Sequence, residues 1–395
     1  MVSMNSVLRA VVACGVTTGL LVGFAGPAAA VPDPAITNSS PAGYYLGGDG
    51  RLHSAGPGST GPVSTAVIGP PGGNVAAVRR SDGGAAVFTI DNSGSLVAGF
   101  TSSGGAGMGF VRHPQTGLAP PGGRITAVQG LTGMHVFFPG SNGSIYHAMY
   151  TRPGNPYLAP APAVPPGTVL PSTSVAGFHV SDRFGVVFTD GSGRVRTVSG
   201  FVGSGAAGPI AAWTTSSSTP PGMTRPGSPV AAASAGNRVT AFYNGGDGTL
   251  WRLPFSGLTP QPAVALSGPG AVPAGAHLAA TLAATGQFVV AYVGADGSVR
   301  AATDEFGPQP VPWVVSPPGV HVPGGPLSLG YDDNGYLHIG WCGTDRWIWF
   351  IWWWLFRKLV PPPSPPGVDP YHELLPVVSM TATRPHFNVG VTLMY

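Results

Sequence analysis

The chain has 395 residues, a formal net charge of +3, and charged side chains at only 8% of positions, against about 25% in an ordinary soluble domain. Its one lysine, Lys358, and its arginines are dispersed, which excludes the concentrated basic footprint of a nucleic-acid binder. With only two cysteines, Cys14 and Cys342, stability cannot come from a disulfide framework, and a large core is needed instead.

Residues 1–30 read as a secretory signal peptide. Arg9 closes a short positive segment, Ala10 to Ala25 is apolar, and Ala28-Ala29-Ala30 meets the small-residue cleavage rule. A chain cleaved after about Ala30 is secreted and extracellular, with residues 31–43 as an N-terminal linker. The rival reading of Val11-Val12-Ala13-Cys14 as a lipoprotein box leaves almost no apolar stretch after Arg9. Cleavage also leaves Cys342 alone, in an apolar strand-like run where it reads as a small buried hydrophobe.

Seven Pro-Pro-Gly-type markers follow, with glycines at Gly72, Gly122, Gly167, Gly222, Gly275, Gly319 and Gly367, separated by 50, 45, 55, 53, 44 and 48 residues. A period in this range predicts a repeat architecture. After each marker comes a strand of small residues, such as Val75-Ala76-Ala77-Val78 or Val230-Ala231-Ala232-Ala233. A bulkier strand is next, such as Ala86-Val87-Phe88-Thr89-Ile90 or Phe288-Val289-Val290-Ala291-Tyr292. Then Asn-Gly or Asp-Gly, the strongest short hairpin signal, leads to a third strand, as in Asp247-Gly248-Thr249-Leu250. A weaker fourth strand holds proline and tryptophan, as in Val311-Pro312-Trp313, and suits an outer edge.

The predicted fold class is therefore all-β: a seven-bladed β-propeller of four-stranded antiparallel blades, occupying residues 44–395 as a single domain. Tyr44 to His53 begins mid-repeat and Val377 to Tyr395 supplies an inner pair, so joining the N- and C-terminal segments closes the ring. Two packed sandwiches are the competing architecture. The run Trp347 to Phe356 is too short to span a bilayer, which takes about 20 apolar residues, so no transmembrane span is expected in the mature chain. Its start matches a third strand; packing, an aromatic binding surface or a membrane-interface contact would each use it.

The unit of inner strand, Val-Phe strand and Asp-Gly-x-Leu followed by an aromatic resembles the fucose-lectin-like and tectonin-like β-propellers, a bacterial branch of which has seven blades. The residues carrying it are Asp247-Gly248-Thr249-Leu250-Trp251, Asn142-Gly143-Ser144-Ile145-Tyr146 and Asp49-Gly50-Arg51-Leu52-His53. The resemblance implies sugar binding in clefts between blades. The third position past the turn glycine is His53, Val97, Tyr146, Arg196, Trp251 or Arg300, so the clefts are not equivalent.

Catalytic chemistry is poorly supported. Glycoside hydrolysis needs two flanking carboxylates, yet most aspartates fall in turns, and the one acidic pair outside them, Asp304-Glu305, points to opposite faces of a strand. No Gly-x-Ser-x-Gly elbow, phosphate loop or metal-ligand spacing occurs. We therefore expect no catalytic residues, no cofactor and no metal, leaning away from an enzyme. The expected function is a secreted, non-catalytic, lectin-like carbohydrate binder, with a glycan or cell-envelope polysaccharide as partner. Tyr146 with His147 and Trp251 with Arg252 are the ligand-binding candidates. The alternatives are a scaffold propeller with a protein partner, and a polysaccharide-active or sialidase-like hydrolase or lyase.

Overall fold

A computed structural model describes residues 42–56, 59–80, 84–101, 108–130, 133–151, 158–201, 213–282, 287–303, 312–319, 321–325, 327–331, 337–342, 348–353, 379–383 and 392–394. The signal-peptide reading, residues 31–41 of the linker, the marker at Gly367 and the pair Asp304-Glu305 lie outside these residues, as does the Cys342 side chain; the last two residues assigned to the linker, Ala42 and Gly43, instead open the first strand.

Among the described residues every element is a β-strand, and each sheet is antiparallel. In chain order come β1 (Ala42–Leu46), β2 (Leu52–Gly56) and β3 (Ser59–Pro62). The first sheet follows as β4 (Val75–Arg79), β5 (Ala85–Ile90), β6 (Leu96–Thr101) and β7 (Met108–Arg112). The second is β8 (Thr126–Gln129), β9 (Met134–Pro139), β10 (Ile145–Tyr150) and β11 (Leu158–Val164). The third is β12 (Val175–Val180), β13 (Arg183–Thr189), β14 (Val195–Phe201) and β15 (Thr214–Ser217). The fourth is β16 (Val230–Ala235), β17 (Arg238–Asn244) and β18 (Leu250–Ser256), edged by two short strands, β19 (Thr259–Pro260) and β20 (Val264–Ala265). The fifth is β21 (Leu278–Leu282), β22 (Phe288–Val293), β23 (Val299–Thr303) and β24 (Trp313–Val314). The sixth is β25 (Leu327–Tyr331), β26 (Leu337–Cys342), β27 (Ile348–Trp353) and β28 (Ser379–Thr383). Finally β29 (Thr392–Met394) pairs with β1, with Ala42 opposite Met394, so a terminal sheet runs β29-β1-β2-β3.

The C-terminal expectation needs correction: Ser379 to Thr383 is the outer strand of the sixth sheet, not an inner strand, and among the described C-terminal residues Thr392–Met394 alone joins the N-terminal strands. As expected for a third strand, Ile348–Trp353 within the aromatic run forms β27, paired with β26 and β28.

The uneven marker spacing also has a structural cause: the markers belong to two different turns. At Pro70, Pro120, Leu170, Arg225, Pro273 and Val322, the carbonyl accepts a hydrogen bond from the amide three residues on, immediately before an inner strand. These starts are 50, 50, 55, 48 and 49 residues apart. Proline second and a left-handed glycine third, as in Pro70-Pro71-Gly72 with Gly72 at φ 73°, suit this turn. Gly167, Gly222 and Gly319 instead sit in an earlier turn, where each amide donates to the carbonyl of Asn142, Ser192 or Asp296 in the preceding hairpin turn.

The core lies between the sheets. Phe88 packs with Phe138 and Tyr150 between the first and second sheets, and Phe137 with Phe184 between the second and third. Further clusters join the third to the fourth, the fourth to the fifth, the fifth to the sixth, and the terminal to the first sheet. Both faces of a sheet are thus covered, which is why β5, β9 and β22 are buried along their whole length rather than at alternate residues. Among the described residues no helix is long and apolar enough to cross a membrane.

Candidate functional site

Third-strand aromatics and arginines mostly serve the hairpin turn below them. Tyr146 Oη accepts a 3.1 Å hydrogen bond from Asn142 Nδ2, and its ring lies parallel to Phe138. In the same role His53 Nε2 meets Asp49 Oδ1 at 3.0 Å, and Arg300 Nη2 donates to Asp296 Oδ2 at 2.9 Å. Where this position is Val97, Arg112 from the outer strand reaches Asp91 at 2.7 Å instead. The turn carboxylates are built to stay ionised. The Ser298 hydroxyl and amide, with Arg300, hold Asp296 down to about 2, and the Thr249 amide and hydroxyl lower Asp247. A glycine six residues earlier makes room for the side chain: a Cβ on Gly245 would fall 2.8 Å from Trp251 Nε1, and one on Gly294 3.0 Å from Arg300 Nε.

Adjacent strand residues point to opposite faces, and this separates both candidate pairs. Tyr146 packs toward the first sheet and Trp251 toward the third. His147 faces the third sheet and is only 3% exposed, stacked on His135 and Phe184 and edge-on to Trp213. Its Nε2 is 3.1 Å from His135 Nδ1. Burial pushes both imidazoles down, His135 to about 3, so the pair is neutral near pH 7. His147 is therefore a packing residue, out of reach of a ligand unless Trp213 and Phe184 separate.

Arg252 occupies the position of His147 one turn past the hairpin, but in a more open cleft, between the fourth and fifth sheets. Its guanidinium carbon lies 5.1 Å from the centroid of Phe288, and that of Arg238 lies 5.2 Å from the same ring. Arg238 is exposed and Arg252 half-buried, while Phe288 is 2% exposed and edge-on to Phe242. Thr240 shares this face, since β17 alternates Arg238, Thr240 and Phe242; its buried Oγ1 has no hydrogen-bond partner among the described residues. Two cations over one aromatic ring, beside a hydroxyl, form a donor-rich wall suited to oxygen-bearing ligands.

Sequence reading named Arg252 but missed Arg238 and Phe288. The available signal was that Arg238 and Phe288 open the second strands of adjacent repeats, a position that sheet stacking brings face to face.

Elsewhere, a cavity of about 230 Å³ is lined by Arg225, Ser228, Asn244, Asp247 and the glycines around them, below the usual about 300–1,000 Å³ of ligand pockets. Among the described residues, no three His, Cys, Asp or Glu side chains gather as a metal site.

Stacked four-stranded meanders with the core held between them define a β-propeller of the fucose-lectin-like kind, at the level of fold. The chain is similar to the BP39L lectin from Burkholderia pseudomallei, at 21% identity and TM-score 0.70, over 81% of this chain and 93% of that one. It is also similar to AofleA from Arthrobotrys oligospora (11% identity, TM-score 0.55, 92% and 98% covered). The fucose-specific lectin from Aleuria aurantia matches at 12% identity and TM-score 0.51, with 81% and 96% covered. No protein-family model matches the sequence, and no curated protein does.

Proposed function

We propose that this is a secreted, non-catalytic carbohydrate-binding propeller with seven blades in a closed ring, and that sugar docks between the fourth and fifth sheets. The ring is supported by the inner strands, which neighbour one another in the cyclic order β4, β8, β12, β16, β21, β25, β29 and back to β4. The observation that carries the sugar site is the pair Arg238 and Arg252 over Phe288. Both guanidinium carbons lie within 5.2 Å of the Phe288 centroid, and this contact limits the side-chain freedom lost when they donate to sugar oxygens. Phe288 on this reading orients the arginines rather than stacking on the sugar.

Fucosylated glycans are the first class to test, since the similar lectin from Aleuria aurantia is fucose-specific. The experiment is a glycan array probed with the mature chain from Val31, alongside Arg252→Ala. Saturable binding to one sugar class, lost in the variant, is expected. A blank array would overturn the carbohydrate reading in favour of a protein partner.

A further inference from the structure

We propose that the small cavity beside the turn joining β17 to β18 binds a free α-amino acid as its zwitterion, a ligand class different from the sugar of the inter-sheet cleft. That turn and the one ahead of β21 form most of the wall, together with Arg225 and Ser228 from the turn ahead of β16. Five glycines line it, so much of the wall is backbone. Asn244 at the cavity and Arg238 at the cleft stand at opposite ends of β17, about 20 Å apart along an extended strand. The two sites are therefore separate.

The other repeats serve as internal controls. The position of Arg225 is taken by Pro70, Pro120, Leu170, Pro273 and Val322, and that of Asn244 by Leu46, Ile90, Pro139, Thr189 and Val293. Among the described repeats, the fourth alone places a cation at the first position and an amide at the second, and both line the same cavity. Asn244 is 2% exposed. Its Nδ2 donates to the Pro273 carbonyl at 2.7 Å, and a carbonyl only accepts, which fixes the amide orientation. Oδ1 is left as a buried acceptor with no partner among the described residues. Asp247 stands exposed beside it and accepts from the Thr249 amide and hydroxyl, which lower its carboxyl and keep it charged. Arg225 is exposed and makes no ion pair among the described residues. The Gly275 amide donates to no carbonyl among them, whereas its counterpart at Gly122 donates to Ile90.

A zwitterion meets both ends of this lining. Its ammonium group supplies the donor that Asn244 Oδ1 lacks and carries the charge opposite to Asp247, while its carboxylate accepts from the Arg225 fork and the Gly275 amide. A lone anion leaves Oδ1 unpartnered and faces Asp247; a lone cation faces Arg225. A neutral hydroxyl compound offsets neither charge. The volume of about 230 Å³ equals that of about eight waters in the liquid, room for a molecule of alanine's size and too little for an oligosaccharide.

The test is calorimetric titration of the mature chain with alanine, with propionate, alaninamide and glucose as controls. Propionate lacks the ammonium group and alaninamide the carboxylate. Saturable binding of alanine is expected, with each control weaker by at least about tenfold. Arg225→Gln should lower alanine affinity at least about tenfold yet leave alaninamide unchanged, a split that a merely structural role would not produce. Asn244→Val, which installs the fifth repeat's residue, should weaken alanine and alaninamide alike, and melting curves establish that each variant is folded. Arg252→Ala should keep alanine binding while losing the neutral glycan, so the two sites fail separately. No saturation in the wild-type protein, propionate or glucose bound as tightly as alanine, or unchanged alanine affinity in folded Arg225→Gln would overturn the proposal.

Discussion

Acidification should soften the boundary between the second and third sheets before it touches the rest of the fold. His135 and His147 are buried against Phe137, Phe184 and Trp213, and burial holds His135 down to about 3 from an ordinary 6.5. The folded chain thus excludes protons that the unfolded chain binds. Its stability is full above pH 6.5 and falls as the pH drops toward the folded value. Each pH unit in that window costs about 1.4 kcal/mol per histidine kept neutral. From pH 6.5 to 5 the loss from His135 is about 2 kcal/mol, with a further contribution of the same sign from His147. At about 2 °C per kcal/mol for a chain this long, the melting temperature should fall by roughly 4 °C or more. The turn carboxylates Asp247 and Asp296, which sit below their ordinary range, lose their contribution only at lower pH and do not blur this window. Scanning calorimetry at pH 7.5 and 5 on the wild type and on His135→Leu/His147→Leu separates the pair from His113 and His179, which are also lowered by burial. The variant should lose most of the pH dependence. An equal fall in both proteins would refute the reasoning.

Gly94→Ala should destabilise by about 2 kcal/mol or more in urea titrations, because φ is +73° and the new Cβ would fall 2.5 Å from the Ala119 carbonyl oxygen; a loss under about 0.5 kcal/mol would contradict this. Asp296→Asn removes a surface charge yet keeps an acceptor for Ser298, so urea titration should show a cost within about 1 kcal/mol, as for other exposed ion pairs. Phe288→Ala should cost about 3–5 kcal/mol and abolish glycan binding together, since it removes core volume and the platform under both arginines. Trp251→Ala should lower the melting temperature but leave glycan affinity unchanged, because the ring packs parallel to Tyr243 on the face away from Arg252.

Local chemistry was legible where it depends on short spacing. Asn-Gly and Asp-Gly hairpins, small inner strands and proline-bearing outer strands follow from backbone preference alone, and the residues show all three. The repeat was visible but its phase was blurred, because Pro-Pro-Gly serves two turns that differ only in which carbonyl they meet. Pairing at the C-terminus was misjudged for a similar reason: Ser379–Thr383 carries no pattern that distinguishes an outer strand from an inner one. The site was harder still. Strand alternation alone could have separated Tyr146 from His147, but pairing Arg238 with Phe288 requires knowing which sheets face each other.

The central claim is best tested by crystals of the mature chain soaked with the tightest-binding neutral glycan from the array. The account predicts sugar density between the fourth and fifth sheets, with ring or hydroxyl oxygens within hydrogen-bond distance of Arg252 and Arg238. Density confined to another cleft, or at the outer edge with both arginines untouched, would contradict it.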